Sequence, residues 1–365
     1  MLHFAGDLEP DGVGSSRRRR IAAEALEEIG AVHAGAANAN DQISFARPWI
    51  RNLAQLEDLR ATRLFDDDGA HAPPYHKEGG AMPALRIFDD RQRELLLLRP
   101  PQRIVSLVPS DTLNVVALGA KDRLVGRTRY CDPIASAAEV GGTKDVDVDA
   151  VARLLPDLIL ANQEENSRTH LEQLAQLGLP LLVSFPKTVS EGIAHLARLA
   201  KALEADAREL LRRGYAAMSE AEAALRDRRP LRAFVPIWMA PLMTVNGQTY
   251  MSDALRMGGG ENVFADRQRL YPLAADLGQA TPKPAGTRDT RYPRVTLEEV
   301  VRREPEIVLL PDEPHPFSEE DAAVFRRALP GSARVVRCGG RDFAWYGAQA
   351  VEGIPRLRAL IESLQ

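Results

Sequence analysis

From Leu85 onward, short apolar runs alternate with segments of helical period. The run Arg103-Ile104-Val105-Ser106-Leu107-Val108 predicts a strand, Thr112 to Leu118 a helix and Leu124 to Thr128 a second strand. Val148 to Leu155, Leu158 to Ala161, Thr169 to Leu177 and Leu181 to Phe185 continue the alternation. Strands separated by helices predict an α/β fold with a largely parallel sheet. The stretch from Val189 to about Arg228 breaks the pattern. It carries no strand signal, spaces Ile193, Leu196, Leu199 and Leu203 at helical intervals, and ends before Pro230. Its second part, Ala205 to Arg228, predicts a helix about 35 Å long at ~1.5 Å per residue.

After Pro230 the alternation resumes with Phe234 to Trp238, Met251 to Met257, Leu297 to Arg303, Ile307 to Leu310, Ala322 to Ala328, Val335-Val336 and a last helix from Glu352. The expected architecture is therefore two α/β lobes with mostly parallel sheets, residues 82–188 and 230–365, joined by a helical backbone over 189–229. So stiff a connector predicts small lobe movements.

An internal repeat supports two lobes. Val148-Asp149-Ala150-Val151-Ala152-Arg153-Leu154-Leu155-Pro156-Asp157-Leu158-Ile159-Leu160 aligns without gaps to Leu297-Glu298-Glu299-Val300-Val301-Arg302-Arg303-Glu304-Pro305-Glu306-Ile307-Val308-Leu309. Each copy is a helix opened by an acidic residue, stopped by a proline and followed by a buried strand. Helix–proline–strand junctions recur in unrelated α/β proteins, but here the apolar and acidic positions match in register.

Residues 1–81 differ from the rest. Gly, Ala, Asp and His predominate, with the Arg17–Arg20 run, Asp66-Asp67-Asp68 and a Pro-Pro pair, and only Arg19 to Ile29 predicts a helix. The segment is expected to be a poorly patterned extension, with Met82 an alternative translation start. Acidic residues interrupt any secretory core after the arginine run, so a cytoplasmic location is expected for the chain as written. No apolar run approaches the roughly 18–20 residues of a membrane span. A hydrophobic share of 45% with a net charge of −4 is that of an ordinary globular protein and gives no basic footprint for nucleic acid. Two cysteines, Cys131 and Cys338, rule out a disulfide framework and any CxxC metal site, and two free thiols are expected.

The segments Arg103 to Ser110 with Thr112, Leu118-Gly119, Leu124-Val125-Gly126, Val140-Gly141-Gly142-Thr143-Lys144 and Leu154 to Ala161 resemble the helical-backbone metal receptor superfamily. So do Gly258-Gly259-Gly260-Glu261-Asn262-Val263-Phe264 and Glu304 to Leu309 in the second half. A cobalamin-binding-like subgroup is suggested by Thr128-Arg129-Tyr130-Cys131, Glu164-Glu165-Asn166, Phe185-Pro186-Lys187-Thr188-Val189 and Pro311-Asp312-Glu313-Pro314. Members of that subgroup often lack an obvious export signal. The resemblance implies the class III substrate-binding fold and capture of cobalamin between the lobes, with haem or a ferric siderophore as the alternative ligand. It implies no required cofactor, a monomer, and an ABC permease as partner, docked through Asp149 and Glu298, one on each lobe; a periplasmic location is the family's alternative. Two departures stand out. Leu113-Asn114 replace a glutamate common among relatives, and Leu273 to Thr290 is inserted between Tyr271-Pro272 and Tyr292-Pro293, most simply as an inert surface loop.

Ligands of parallel sheets sit beyond the carboxyl ends of the strands. That rule gives a first-lobe set of Pro109, Ser110, Tyr130, Thr143, Lys144, Glu164, Glu165 and Asn166. The second-lobe set is Trp238, Asp312, Glu313, Phe317, Trp345 and Tyr346. Aromatic rings in these loops suit a broad, flat ligand. Trp345-Tyr346 is expected to be exposed, Phe185 and Phe343 to belong to the core, and Glu164-Glu165-Asn166 either to face ligand or to cap the helix near Ser167. His315 is a weak candidate for a haem or metal ligand. His170 and His195 read as structural or exposed. No GxSxG, Walker-A or strand-linked GxGxxG motif is present, and Gly258 to Gly260 reads as a helix stop, so no enzyme is expected. The alternatives are an intracellular corrinoid carrier or sensor and a two-lobed glycosyltransferase-like enzyme.

Overall fold

The computed structural model describes residues 84–365; the expectations for residues 1–81 lie outside them. The described residues open with an antiparallel hairpin, β1 (Leu85–Phe88) and β2 (Glu94–Leu97). The first lobe follows as β3 (Ile104–Ser106), α1 (Pro109–Ala117), β4 (Leu124–Arg127), β5 (Ala138–Glu139), α2 (Val148–Arg153), β6 (Leu158–Asn162), α3 (Arg168–Gln176) and β7 (Leu181–Ser184). Its five strands are all parallel, in the order β5-β4-β3-β6-β7. Chain direction across the sheet reverses between β3 and β6. The loops leaving these two strands therefore diverge and open a crevice.

Two helices carry the chain to the second lobe. In α4 (Val189–Leu203) a Thr188/Glu191 capping box fixes the start, and the buried face is Val189, Ile193, Leu196, Leu199 and Leu203. Glu204 then turns left-handed (φ 51°), and the Asp206 carboxylate accepts from the Arg208 amide to start α5 (Arg208–Asp227). The backbone is thus broken into two helices, the longer having 20 residues or about 30 Å at ~1.5 Å per residue.

The second lobe comprises β8 (Leu231–Phe234), β9 (Pro236–Met239), β10 (Leu242–Thr244), α6 (Tyr250–Met257), β11 (Gly260–Asn262), α7 (Leu273–Asp276), α8 (Leu297–Arg302), β12 (Ile307–Pro311), α9 (Glu319–Ala328), β13 (Arg334–Cys338), α10 (Arg341–Ala344) and α11 (Ala348–Glu362). Its main sheet is parallel, in the order β11-β8-β12-β13, with β9 and β10 as a separate antiparallel pair. The run from Phe234 to Trp238 is split between β8 and β9 rather than forming one strand.

The repeat is physical as well as textual. Asp147 and Thr296 each cap their helix by accepting from the third amide, of Ala150 and Glu299. Leu155 and Glu304, at matching positions, both adopt positive φ, 46° and 47°. Arg103 donates to the carbonyls of Leu154 and Leu155, and Arg232 to those of Arg303 and Glu304. Asp157 accepts from the Arg103 amide as Glu306 does from that of Arg232. In both lobes one arginine and one acid sew the helix–strand turn to the neighbouring strand.

The lobes do not meet only through the connector. Val189 and Ile193 of α4, Met218 and Ala221 of α5, Tyr250 and Ala254 of α6, and Val351 and Ile354 of α11 form one apolar cluster with Tyr346. This shared core favours a stiff spine, because repacking a dense interior is costly.

Candidate functional site

The loops leaving the carboxyl ends of the two sheets face one another. In the middle lie acids from both lobes: Glu165 after β6 has Glu164, Glu313 and Asp111 as its electrostatic neighbours, with Lys144 opposing them. Glu164 and Glu313 are equivalent positions of the repeat. Burial, then the neighbouring acids, pushes the Glu165 carboxyl up to about 7. Burial likewise raises the Glu313 carboxyl, against Arg341. An open polar recess of about 410 Å³, lined in part by Asp312, Glu313 and Arg341, adjoins this face.

Either side of the acids, the lobes are pinned by arginines. On the β4 side, Arg341 Nη2 and Nη1 reach the two Asp132 oxygens at 2.8 and 3.1 Å. On the β6–β7 side, Arg291 Nη1 lies 2.5 Å from Glu164 Oε1, to which Tyr292 also donates its hydroxyl at 2.5 Å. The Arg291 guanidinium stands over the Phe185 ring at 4.8 Å. None of Asp132, Arg291, Tyr292 and Arg341 was in the sequence-derived set. The rule that picks loops after strands does not reach Arg291 and Tyr292, which follow an insertion.

Nearer the spine, Tyr346 donates to Asp111 Oδ2 at 3.1 Å and lies 2.8 Å from Ser184 Oγ. Asp111 Oδ1 is 2.8 Å from His195 Nε2. Arg198 Nη2 donates to His195 Nδ1 at 2.7 Å and Nη1 to Asp90 at 2.8 Å. Arginine can only donate, so His195 carries its hydrogen on Nε2, toward Asp111. The result is a buried polar chain that crosses the lobe boundary.

The structure redistributes the expected site residues. Glu164, Glu165, Glu313 and Lys144 meet at the interlobe face, where Lys144 Nζ donates to the Glu164 carbonyl at 2.8 Å. Tyr130, 55% exposed, stands free of the core beside Arg129. Thr143 is half-buried and Asp312 is exposed, accepting from the Gly340 amide. Trp345 and Tyr346 are not an exposed pair: they are 6% and 3% exposed, Tyr346 turned into the spine and toward Asp111 of the other lobe, Trp345 lying under the Arg341 guanidinium at 4.2 Å within its own lobe. Trp238 is buried beside β10, its indole donating to the Ala240 carbonyl, and Phe317 belongs to the second-lobe core. The His315 ring packs between Trp238 and Phe317, at 5.0 and 4.6 Å, so it braces the loop. Asn166 is structural, accepting from the Asn162 amide and donating to the carbonyls of Leu107 and Thr143; neither it nor the glutamates cap α3. Pro109 and Ser110 are buried in the first turn of α1. Phe343 is core, whereas Phe185 is half-buried at the lobe boundary because Arg291 covers it.

The inserted segment is more than an inert loop. Buried Asp276 accepts from the Leu270 and Arg294 amides and from Arg267, which pins its base. Its far end then delivers Asp289, Arg291 and Tyr292 to the lobe boundary. Cys131 and Cys338 are free thiols. Among the described residues no group of three or more His, Cys, Asp or Glu is arranged to hold a metal ion, and no helix is long and apolar enough to cross a membrane.

The raised Glu165 carboxyl has a consequence for pH. Between about 4.5 and about 7 the folded chain holds a proton that the unfolded chain has released, so stability falls as pH rises through that window and levels off above it. Glu165→Gln should remove this slope and be more stable than the parent near pH 8 by about 1–3 kcal/mol. Thermal unfolding near pH 5 and near pH 8 checks it; an unchanged slope in Glu165→Gln would assign the pH dependence to other groups.

Two parallel-sheet lobes on a helical spine, facing each other through their strand-end loops, define the class of bilobal substrate-binding proteins. The chain belongs to the Periplasmic binding protein family, which it matches over residues 104–326. Over 199 residues it is 33% identical to a vitamin B12-binding protein of Yersinia pestis, spanning 52% of this chain and 70% of that one. Its fold is similar to that of the periplasmic vitamin B12-binding protein of Vibrio cholerae, with a TM-score of 0.57 at 19% identity over 73% of this chain and 98% of that one. A nickel-bound protein of Helicobacter pylori gives 0.62 at 17% identity over 76% and 89%, and the periplasmic haem-binding protein of Roseiflexus gives 0.53 at 16% over 72% and 99%. The family's periplasmic character does not support the cytoplasmic location expected from the N-terminal sequence.

Proposed function

We propose that this protein captures a cobalamin-like corrinoid between its lobes. The observation that carries the reading is the 33% identity to vitamin B12-binding proteins over 199 residues. The charge of the site supports it. Glu164, Glu165, Glu313 and Asp312 line the facing loops. Partly protonated and partly paired with Arg291, Lys144 and Arg341, these acids present hydrogen-bond partners to the amide-fringed rim of a corrin without a strong net charge. Tyr130 supplies an exposed ring at the margin for a flat ligand.

In this reading the protein works outside the cytoplasm as a monomer and delivers its ligand to an ABC permease. Asp149 and Glu298 are exposed in the first turns of the equivalent helices α2 and α8, a symmetric pair suited to arginines on a two-fold partner.

Titration of the purified chain with cyanocobalamin, haemin and a ferric siderophore in parallel tests the assignment, followed by tryptophan quenching and thermal shift. A saturable one-to-one response to cyanocobalamin, weakened about 3–10-fold by Tyr130→Ala, is expected. Binding of haemin alone would transfer the site to a porphyrin. Silence with all three ligands would sink the corrinoid reading and direct the search to nucleotide sugars.

A further inference from the structure

The lobe boundary combines attraction at its flanks with repulsion at its centre. On the flanks are Arg341–Asp132 and the Arg291–Glu164–Tyr292 group, each joining one lobe to the other. Between them lie Glu165 and Glu313, one from each lobe, with the Glu313 charge among those that oppose ionisation of Glu165. The two flanks differ in solvation. Arg341 and Asp132 are about half exposed, with side chains 47% and 51% accessible. Arg291 and Glu164 are shielded, at 12% and 17%. A shielded ion pair is weakened less by salt and holds its geometry better than an exposed one.

The inner group is also braced from behind. Asp289 pairs with Arg291 on its own segment, Phe185 lies under the guanidinium, and Asp276 anchors the base of the segment. The arginine is therefore presented to Glu164 from a fixed platform. Removing one partner of such a pair would strand a charge in a poorly hydrated place. At a boundary between lobes, that charge regains water if the lobes part.

We propose that these two ion-pair groups are clasps that hold the lobes together over the cleft against the central Glu165–Glu313 repulsion, and that both must release before a ligand enters. The inserted segment supplies the stronger clasp and thereby acts as the strap of the cleft. Clasp release gates ligand entry, the lobes then parting by a small rotation about the shared apolar spine. The gating role rests on the cleft being the binding site, but the closure itself does not, so the test reads lobe separation directly.

Spin labels on Asp149→Cys and Glu298→Cys, in a Cys338→Ser background with Cys131 buried, report the distance between lobes in the full chain. The parent should give one narrow distance distribution. Glu164→Gln combined with Arg341→Gln should add a longer-distance population while circular dichroism shows an intact fold. Adding Glu165→Gln to that variant removes the central repulsion and should shift the distribution back toward the parent. An unchanged distribution in the folded double variant overturns the proposal, as does a lengthening that Glu165→Gln leaves untouched. If the distances behave as expected, the double variant should also bind cyanocobalamin faster than the parent. If the parent itself does not bind cyanocobalamin while the distances behave as expected, the corrinoid reading fails and the clasp stands.

Discussion

Asp111→Ala is expected to destabilise the protein by about 3–5 kcal/mol, the cost of breaking a buried charged network from one side. Asp111 is fully buried and is shared by His195, Tyr346 and Asn114. Its removal leaves the His195 Nε2 hydrogen without its acceptor and the Tyr346 hydroxyl with Ser184 Oγ in place of a carboxylate, at a lobe boundary. Arg198, held against His195 Nδ1, loses part of the negative charge that offsets it. At a few degrees per kcal/mol for a chain of this size, thermal unfolding should drop by roughly 10 °C. Asp111→Asn keeps the shape and one acceptor and should cost clearly less. Equal losses in the two variants would show that the carboxylate's charge, not its shape, matters at this position.

Gly347→Ala is expected to cost about 2–4 kcal/mol, and to do so by prising the lobes apart. Gly347 has φ 79° and ψ −120°, a region that only glycine occupies without strain. A methyl group there would lie 2.3 Å from Asn114 Oδ1, the atom that accepts the Ala348 amide across the boundary at 2.8 Å. The substitution therefore adds backbone strain and breaks an interlobe hydrogen bond at once. Trp345, two residues away and nearly buried, is the reporter: its emission should move to the red as the contact loosens. Loss of stability without that shift would place the damage in the start of α11 rather than between the lobes.

The second of these positions illustrates the limit of sequence reading. Gly347 follows Trp345-Tyr346, and from the sequence that pair reads as an exposed aromatic edge next to charged Arg341-Asp342. The structure turns it inward, because a short helix and a left-handed glycine reverse the chain onto the other lobe. The burial of Trp238 and Phe317 has the same origin: strand-end position predicts proximity to the cleft, not which way a ring points. Glu164, Glu165 and Glu313 were legible because polar residues directly after fully buried strands have few places to go except the crevice. Arg291 and Tyr292 were not, since an insertion separates them from any strand. Phe185 misled for a related reason: it ends an apolar strand, and only a guanidinium from the other lobe covers it.

By itself the sequence determined the alternation of strands and helices, the helical break between lobes and the repeat, since each follows from local period, capping and proline placement; the class of protein came from the resemblance of its motifs to a known family. The tertiary structure alone decided which loops meet. Contacts such as Arg341–Asp132 and Arg291–Glu164 join residues separated by more than a hundred positions, between which no local pattern carries information. It also set the proton affinity of Glu165, because that depends on acids gathered from two lobes and on the water they exclude.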